Sequence, residues 1–369
     1  MKPIRSAIVG TGAIAGAHMA AVQQAGRRVQ VVAAVDVDRA RLDEFCATYD
    51  IPRGYDDARA MLAAEQPDLV QICTPPALHA ELSVACLEAG AWVLCEKPLA
   101  ASLAELDLIE AAERRTGRYC SSVFQWRFGS GAQHLKGLIE SNALGRPLVG
   151  VCQITWYRDD EYYRVPWRGK WATELGGPTM IHGIHAMDLF LWLLGDWQVV
   201  SAMIGTLDRD IEVEDVSLAN VRFENGAMVS IVNSVLSPRQ ETYLRWDFQK
   251  ATVELHTLYR YTNEDWRYSI PEGSPDGDLV ARWQTIPAEA PSTHASQLAA
   301  LLDSIERGER PLVSGPEARR TIELLSCLYK SAMTGRPVQR GSLAPDDPFY
   351  QRVSGSGSPR SDDVPLREG

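Results

Sequence analysis

The first third of the chain alternates short apolar runs with stretches of helical period. Residues 4–9, 29–35, 69–73, 92–95 and 119–123 read as strands. Residues 13–25, 38–49, 77–88 and 102–115 read as helices between them. The strands are continuously apolar rather than alternating, as parallel strands covered by helices on both faces must be. After residue 123 the pattern changes. Residues 124–144 contain a helix, 148–157 a strand, and 178–194 a helix closed by Gly195. From 199 to 258 the signal is strand-like, punctuated by the turn Glu224-Asn225-Gly226. Residues 293–306 and 316–333 read as closing helices. The predicted architecture is an α/β Rossmann domain with a parallel, doubly wound sheet over 1–123. An α+β domain with a large, mostly antiparallel open sheet follows over 124–341. The tail, 342–369, is rich in Pro, Ser, Gly and Asp, and 354–359 (SGSGSP) is expected to be flexible.

Composition supports two globular domains. The chain has 369 residues, 45% hydrophobic and 23% charged. With 37 basic and 48 acidic residues the formal charge is −11. Such a chain lacks the lysine and arginine excess that phosphate backbones and anionic bilayers select. No nucleic-acid or membrane partner is therefore expected. No apolar run approaches the roughly 18 residues of a membrane span, and no signal peptide is read at the start. Seven scattered cysteines without a C-x-x-C pair suggest reduced thiols and a cytoplasmic setting.

Gly10-Thr-Gly12-Ala13-Ile14-Ala15 follows the first strand and opens the first helix. This is the dinucleotide fingerprint in its required context. Gly10 permits a tight turn, Gly12 a close approach to pyrophosphate, and Ala15 close helix packing. Asp36 ends the second strand, where a carboxylate reaches ribose hydroxyls and repels a 2′-phosphate. NAD is therefore expected, with NADP admitted through Arg39 three residues on. The competing reading makes Asp36 only an N-cap for the next helix.

Further motifs follow in order: Thr74-Pro75-Pro76 with His79, Glu96-Lys97-Pro98, Gly176-Gly177, and His182-Gly-Ile-His185-Ala-Met-Asp188. Ser314-Gly315 and Gly335-Arg336-Pro-Val stand near the end. With the fingerprint, this series resembles the glucose–fructose oxidoreductase / inositol dehydrogenase / MocA-like family over about residues 4 to 340. The resemblance implies a nicotinamide enzyme acting on a secondary alcohol of a sugar or cyclitol, in the cleft between two domains. It also implies a homodimer or homotetramer formed through the second-domain sheet.

The resemblance places Lys97 beside the nicotinamide as the base for the reacting hydroxyl, sharing acid–base work with His185. Desolvation and a neighbouring positive ring would bring the lysine into a useful range. Outside this context Lys97 would be read as an ordinary surface lysine. Thr74, Pro75, His79 and Glu96 would line the cofactor floor with Gly10, Gly12, Ala13 and Ile14. A cis Lys97–Pro98 bond is expected. Relatives often carry Asp four residues before the histidine, where this chain has Ile181. His182 then either binds substrate in its stead or simply caps a packed helix. A metal held by His182, His185 and Asp188 is not expected; Asp188 is read as a helix anchor. Trp167 and Arg168 are expected near the cofactor. Tyr157, Tyr163 and Trp171 are substrate candidates that could equally be loop packing. Gln125 and Arg127 are expected to line the cleft.

Three functions remain open on the sequence. The leading one is an NAD-dependent sugar or cyclitol dehydrogenase. The second oxidises a glycoside and then eliminates its aglycone with cofactor retained. The third is a dinucleotide or sugar sensor without turnover.

Overall fold

The computed structural model describes residues 2–274 and 278–355. Six strands form the first sheet: β1 (Ile4–Val9), β2 (Val29–Val35), β3 (Gly54–Tyr55), β4 (Leu69–Ile72), β5 (Trp92–Cys95) and β6 (Cys120–Ser122). They are parallel, in the order 3-2-1-4-5-6. The order reverses between β1 and β4, which opens a crevice at the carboxyl ends of the strands. The predicted strands and helices are present. The two-residue β3 and the helix Ala58–Glu65 were not legible, because Gly54–Tyr55 is too short to carry a pattern.

Eight strands form the second sheet: β7 (Pro147–Thr155), β8 (Trp197–Gly205), β9 (Val216–Phe223), β10 (Met228–Ser234), β11 (Glu241–Phe248), β12 (Thr252–Thr257), β13 (Trp266–Ser269) and β14 (Val338–Gln339). Their order is 13-12-11-7-10-9-8-14. Only β7 and β10 run parallel, so the sheet is mostly antiparallel. β11 shows why it has two faces. Thr242, Leu244, Trp246 and Phe248 are buried, while Glu241, Tyr243, Arg245 and Asp247 alternate outward. The inner face packs on helix Ile184–Leu194, every residue of which is buried, with Phe190 stacked on Trp246 at 4.6 Å.

The closing helices return to the first domain. Helix His294–Arg307 buries Leu298, Leu301 and Leu302 in one core with Met19 and Val22 of helix Ala15–Ala25. Arg28 fixes the contact by ion pairs to Asp303 at 2.6 Å and Glu306 at 3.1 Å. The first part of the expected tail is anchored to the fold. Residues 348–351 form a helical turn, and Leu343, Tyr350 and Val353 are buried. The Tyr350 hydroxyl donates to Asp107 at 2.6 Å. Averaging composition over the whole tail hid these three anchors; residues 356–359 of the expected flexible stretch lie outside the described residues.

Candidate active site

β1 ends at Val9, and the chain turns at Gly10 with φ of 91°, a value suited to glycine. A Cβ here would meet the Cys73 carbonyl at 2.8 Å. At Gly12 a Cβ would meet nothing within 4 Å, so the loop presents bare backbone to open space. Helix Ala15–Ala25 begins behind it with no acidic residue in its first turn. Its N-terminal partial charge is thus kept for an anion. Ala13 and Ile14 stand exposed on the same open side. These features fit a dinucleotide pyrophosphate.

Asp36 sits just past β2 and is buried. Its Oδ2 accepts from the Thr11 N–H and hydroxyl, both at 2.8 Å. Its Oδ1 accepts from the Asp38 N–H at 2.9 Å. Arg41 forks onto both oxygens, at 3.1 and 2.6 Å. Burial would raise the Asp36 pKa, but Arg41 and these donors hold it at about 2. Asp38, not Asp36, caps the following helix, accepting from the Arg41 N–H at 3.1 Å. The arginine beside Asp36 is Arg41, whereas Arg39 points outward and pairs with Asp43 at 2.9 Å. Helical geometry explains the correction: the helix start directs position 39 away and position 41 back over the strand end.

Glu96 follows β5 and joins three parts of the chain. His18 from the first helix lies 3.1 Å from its Oε1, and His294 from the closing helix lies 2.8 Å from the same oxygen. The His18 Nδ1 is 2.9 Å from Gln71 Oε1. Burial would raise the Glu96 pKa, but the two imidazoles hold it well below the usual range. His18, Glu96 and His294 place one atom each within 4.8 Å of one another, a set that could hold a metal. Hydrogen bonds already satisfy their facing atoms. Neither histidine was singled out from sequence, since they meet Glu96 across 78 and 198 positions.

Lys97 comes next, with a cis Lys97–Pro98 bond. Its Nζ donates to the Ile181 carbonyl at 2.6 Å. Main chain thus meets the lysine at Ile181, the position where the resemblance led to an expectation of Asp. Burial pushes the Lys97 pKa down, Arg168 and Arg158 add to this, and Glu96 and Glu174 oppose it. Ile181 and His182 lie in a π-helical turn, Thr179–Gly183, that runs into helix Ile184–Leu194. Such turns recur at functional sites. Burial first, then nearby cations, keep both His182 and His185 neutral, well below the usual histidine range. His185 stacks on Trp126, with ring centroids 5.9 Å apart.

The polar groups left without partners are telling. The Nδ1 atoms of His182 and His185, Thr74 Oγ1, Gln125 Oε1 and the Tyr163 hydroxyl are buried and unpaired. Buried polar atoms ordinarily find partners, so these are atoms a ligand could satisfy. Arg168 lies over the rings of Tyr162 at 3.9 Å and Trp167 at 4.4 Å, and pairs with Glu174 at 3.0 Å. Glu174 is buried and was also missed; nothing in its local sequence marks it.

Other expected residues are committed elsewhere. Arg127 does not line a cleft: it is fully buried, forked onto Asp188 at 2.7 Å twice, with Glu317 at 2.7 Å. Proximity to a strand end did not reveal which way its side chain turns. Asp188, also bonded by Thr321 at 2.8 Å, is the helix anchor that was expected. His79 has a main-chain carbonyl at each ring nitrogen, Pro98 O at 2.6 Å and Thr74 O at 2.9 Å, and as the neutral ring that burial favours it donates to one of them. It braces the Thr74-Pro75 turn and the Lys97-Pro98 turn, and has no nitrogen left for a ribose. The Trp171 indole donates to the Glu212 carbonyl at 2.8 Å and packs edge-on against Tyr329. Tyr157 is exposed beneath Arg209.

Among the described residues no helix is long and apolar enough to cross a membrane. Residues 4–124 match the oxidoreductase family with an NAD-binding Rossmann fold, and residues 132–256 match the GFO/IDH/MocA C-terminal domain. D-apiose dehydrogenase of Paraburkholderia graminis is 27% identical, covering 96% of this chain and 94% of that protein. D-glucoside 3-dehydrogenase of Escherichia coli is 27% identical, covering 92% and 98%. The WlbA dehydrogenase of Bordetella pertussis, solved with NADH and UDP-GlcNAcA, is 28% identical, with a TM-score of 0.81 and coverage of 91% and 98%. Glycine loop, Asp36, Glu96-Lys97-Pro98 and the histidine helix thus stand in a chain that belongs to the GFO/IDH/MocA family of NAD-binding oxidoreductases.

Proposed function

We propose that the protein oxidises a secondary alcohol on a sugar, cyclitol or glycoside, with Lys97 as the base. The observation that carries this is the half-buried Lys97 amine, held at Ile181 O beside two neutral, unpaired histidines. Loss of the hydroxyl proton requires a free amine lone pair. Desolvation favours that neutral form. One N–H stays on the Ile181 carbonyl, which leaves the lone pair free to face the cleft. His185 and His182 would fix the substrate hydroxyls, their free Nδ1 atoms acting as donor or acceptor according to tautomer. NAD, when bound, supplies the hydride acceptor. Gly10, Gly12, Ala13 and Ile14 would meet its phosphates, Asp36 its ribose, and Thr74, Pro75 and Gln125 its nicotinamide end. Trp167 would close over the cleft and Tyr163 would meet the substrate.

The test is a Lys97→Ala variant. Its oxidation rate should fall by about 10² to 10⁴ while NADH binding persists. Wild-type turnover in a folded variant would remove Lys97 from this role.

We further infer that two or four copies associate through the outer face of the second sheet, in the cytoplasm. Met203, Met228, Leu218 and Val149 are 71, 55, 48 and 46% exposed there. They adjoin in pairs, Met203 beside Leu218 and Met228 beside Val149. An exposed apolar patch of this kind suits a copy of itself. Seven unpaired cysteines suit a reducing compartment. Sedimentation should show dimer or tetramer, and Met203→Lys with Met228→Lys should release monomer; a monomeric wild type would end this reading.

A further inference from the structure

Cations gather around His182. The whole chain carries −11, yet Arg158 and Arg168 join Lys97 around His182. Arg168 has its carboxylate in Glu174, at 3.0 Å. Arg158 has none within 4.0 Å among the described residues. Its guanidinium donates to the Tyr157 carbonyl at 2.7 Å and to the Tyr259 hydroxyl at 3.4 Å. The acids nearby are taken. Asp159 accepts from the Tyr162 N–H at 3.0 Å, Asp160 lies 3.9 Å from Arg209, and Glu161 pairs with Arg164 at 3.3 Å.

Arg158 is nonetheless held in place. It lies over the Tyr162 ring at 5.2 Å and the Tyr259 ring at 5.7 Å. Trp156 continues this aromatic floor, 4.9 Å from Tyr259 and 5.2 Å from His182. His182 adjoins Ile181, whose carbonyl holds the Lys97 amine. A guanidinium held over aromatic rings presents its planar, forked donors in a restricted orientation, the arrangement that matches carboxylate or phosphate. The dinucleotide's own phosphates have their place at the Gly10–Gly12 loop, in the other domain.

We propose that the substrate carries an anionic group, a carboxylate or a phosphate on the sugar, and that the Arg158 guanidinium binds it while Lys97 faces the reacting hydroxyl. This rests on the dehydrogenase reading for the reaction, but binding tests it separately.

The experiment titrates the full-length, NADH-loaded protein by calorimetry with methyl β-D-glucoside, methyl β-D-glucuronide and glucose 6-phosphate. One anionic sugar should bind at least about tenfold more tightly than the neutral glycoside. Which anion wins separates carboxylate from phosphate. In Arg158→Gln the anion-to-neutral ratio should fall toward one, with NADH affinity checked in the same samples. Arg158→Lys keeps the charge and should restore part of the preference. Equal affinity for neutral and anionic sugars, binding of none, or a preference that survives Arg158→Gln would each overturn the proposal. Turnover with NAD is then measured on the same sugars. Anions that bind but are never oxidised tell against the dehydrogenase reading and leave the anion site standing. Neutral sugars oxidised without preference tell only against the anion site.

Discussion

His185 and Asp188 lie three residues apart on one buried helix, and their surroundings are opposite. Asp188 is saturated: a guanidinium fork from Arg127 and a hydroxyl from Thr321 fill its oxygens. His185 has a buried Nδ1 without a partner, and so has His182 one turn earlier. Both clusters are polar and both are buried. The closed one ties helices together, whereas the open one keeps polar atoms that a ligand could satisfy. At these two positions of one helix the difference lies in whether the hydrogen bonds are satisfied, not in burial.

Mutation should split the two clusters cleanly. Asp188→Ala takes the fork off the buried Arg127 guanidinium, leaves it Glu317 alone, and should cost about 3 kcal/mol of stability. His185→Gln leaves no charge unpaired, so its urea midpoint should stay near wild type. Its turnover should fall by about 10²-fold. Urea melts and steady-state rates on both variants check this. A His185→Gln protein that unfolds as readily as Asp188→Ala, with its residual activity per folded molecule unchanged, would dissolve the distinction.

That distinction was only half legible in the sequence. The Rossmann half was readable because parallel strands demand continuous apolar runs, and the fingerprint must follow one of them. Lys97 and His185 were singled out through motif order, and they stand near one another around the Ile181 carbonyl. Arg127 and Asp188 were not readable as a pair, since the fork joins positions 61 apart. The partners of His79 and Trp171 were not legible for a related reason. Position near a strand end says where a side chain starts, and its partner says what it does. His18, His294 and Glu174 left no local trace, because tertiary contact alone gives them their neighbours.

The open cluster also predicts a pH limb. As the proposed base, Lys97 would accept a proton only as the free amine, so kcat/KM for alcohol oxidation should rise with pH through its pKa. Burial, aided by Arg168 and Arg158, sets that pKa below the ordinary 10.5, so the rise should level off before that value. Glu174 acts in the other direction, holding the proton on. Glu174→Gln should therefore move the limb to lower pH, and Arg158→Gln to higher pH. A pH profile of the chemical step in all three proteins reads the signs directly. Unmoved limbs would mean that another group titrates.

The smallest effect concerns the cofactor end, where the comparison between closed and open clusters sharpens once more. Asp36 is as saturated as Asp188, yet its partners differ in kind. The two Thr11 bonds and the Asp38 N–H are local to the loop, but Arg41 reaches in on a half-exposed side chain. In the proposed cofactor complex ribose hydroxyls would displace Arg41, whose charge stays solvated when it swings out; no such exit exists for the fully buried Arg127. Asp36→Ser should then weaken NAD use by about 10- to 100-fold, the worth of hydrogen bonds to a charged acceptor. It should also free Arg41 to meet a 2′-phosphate, so that kcat/KM with NADP rises. Adding Arg41→Ala to Asp36→Ser should remove that gain and leave the NAD loss in place. Rates with both cofactors on the two variants decide it: an NADP gain that persists without Arg41 would show that repulsion by Asp36 alone sets the preference.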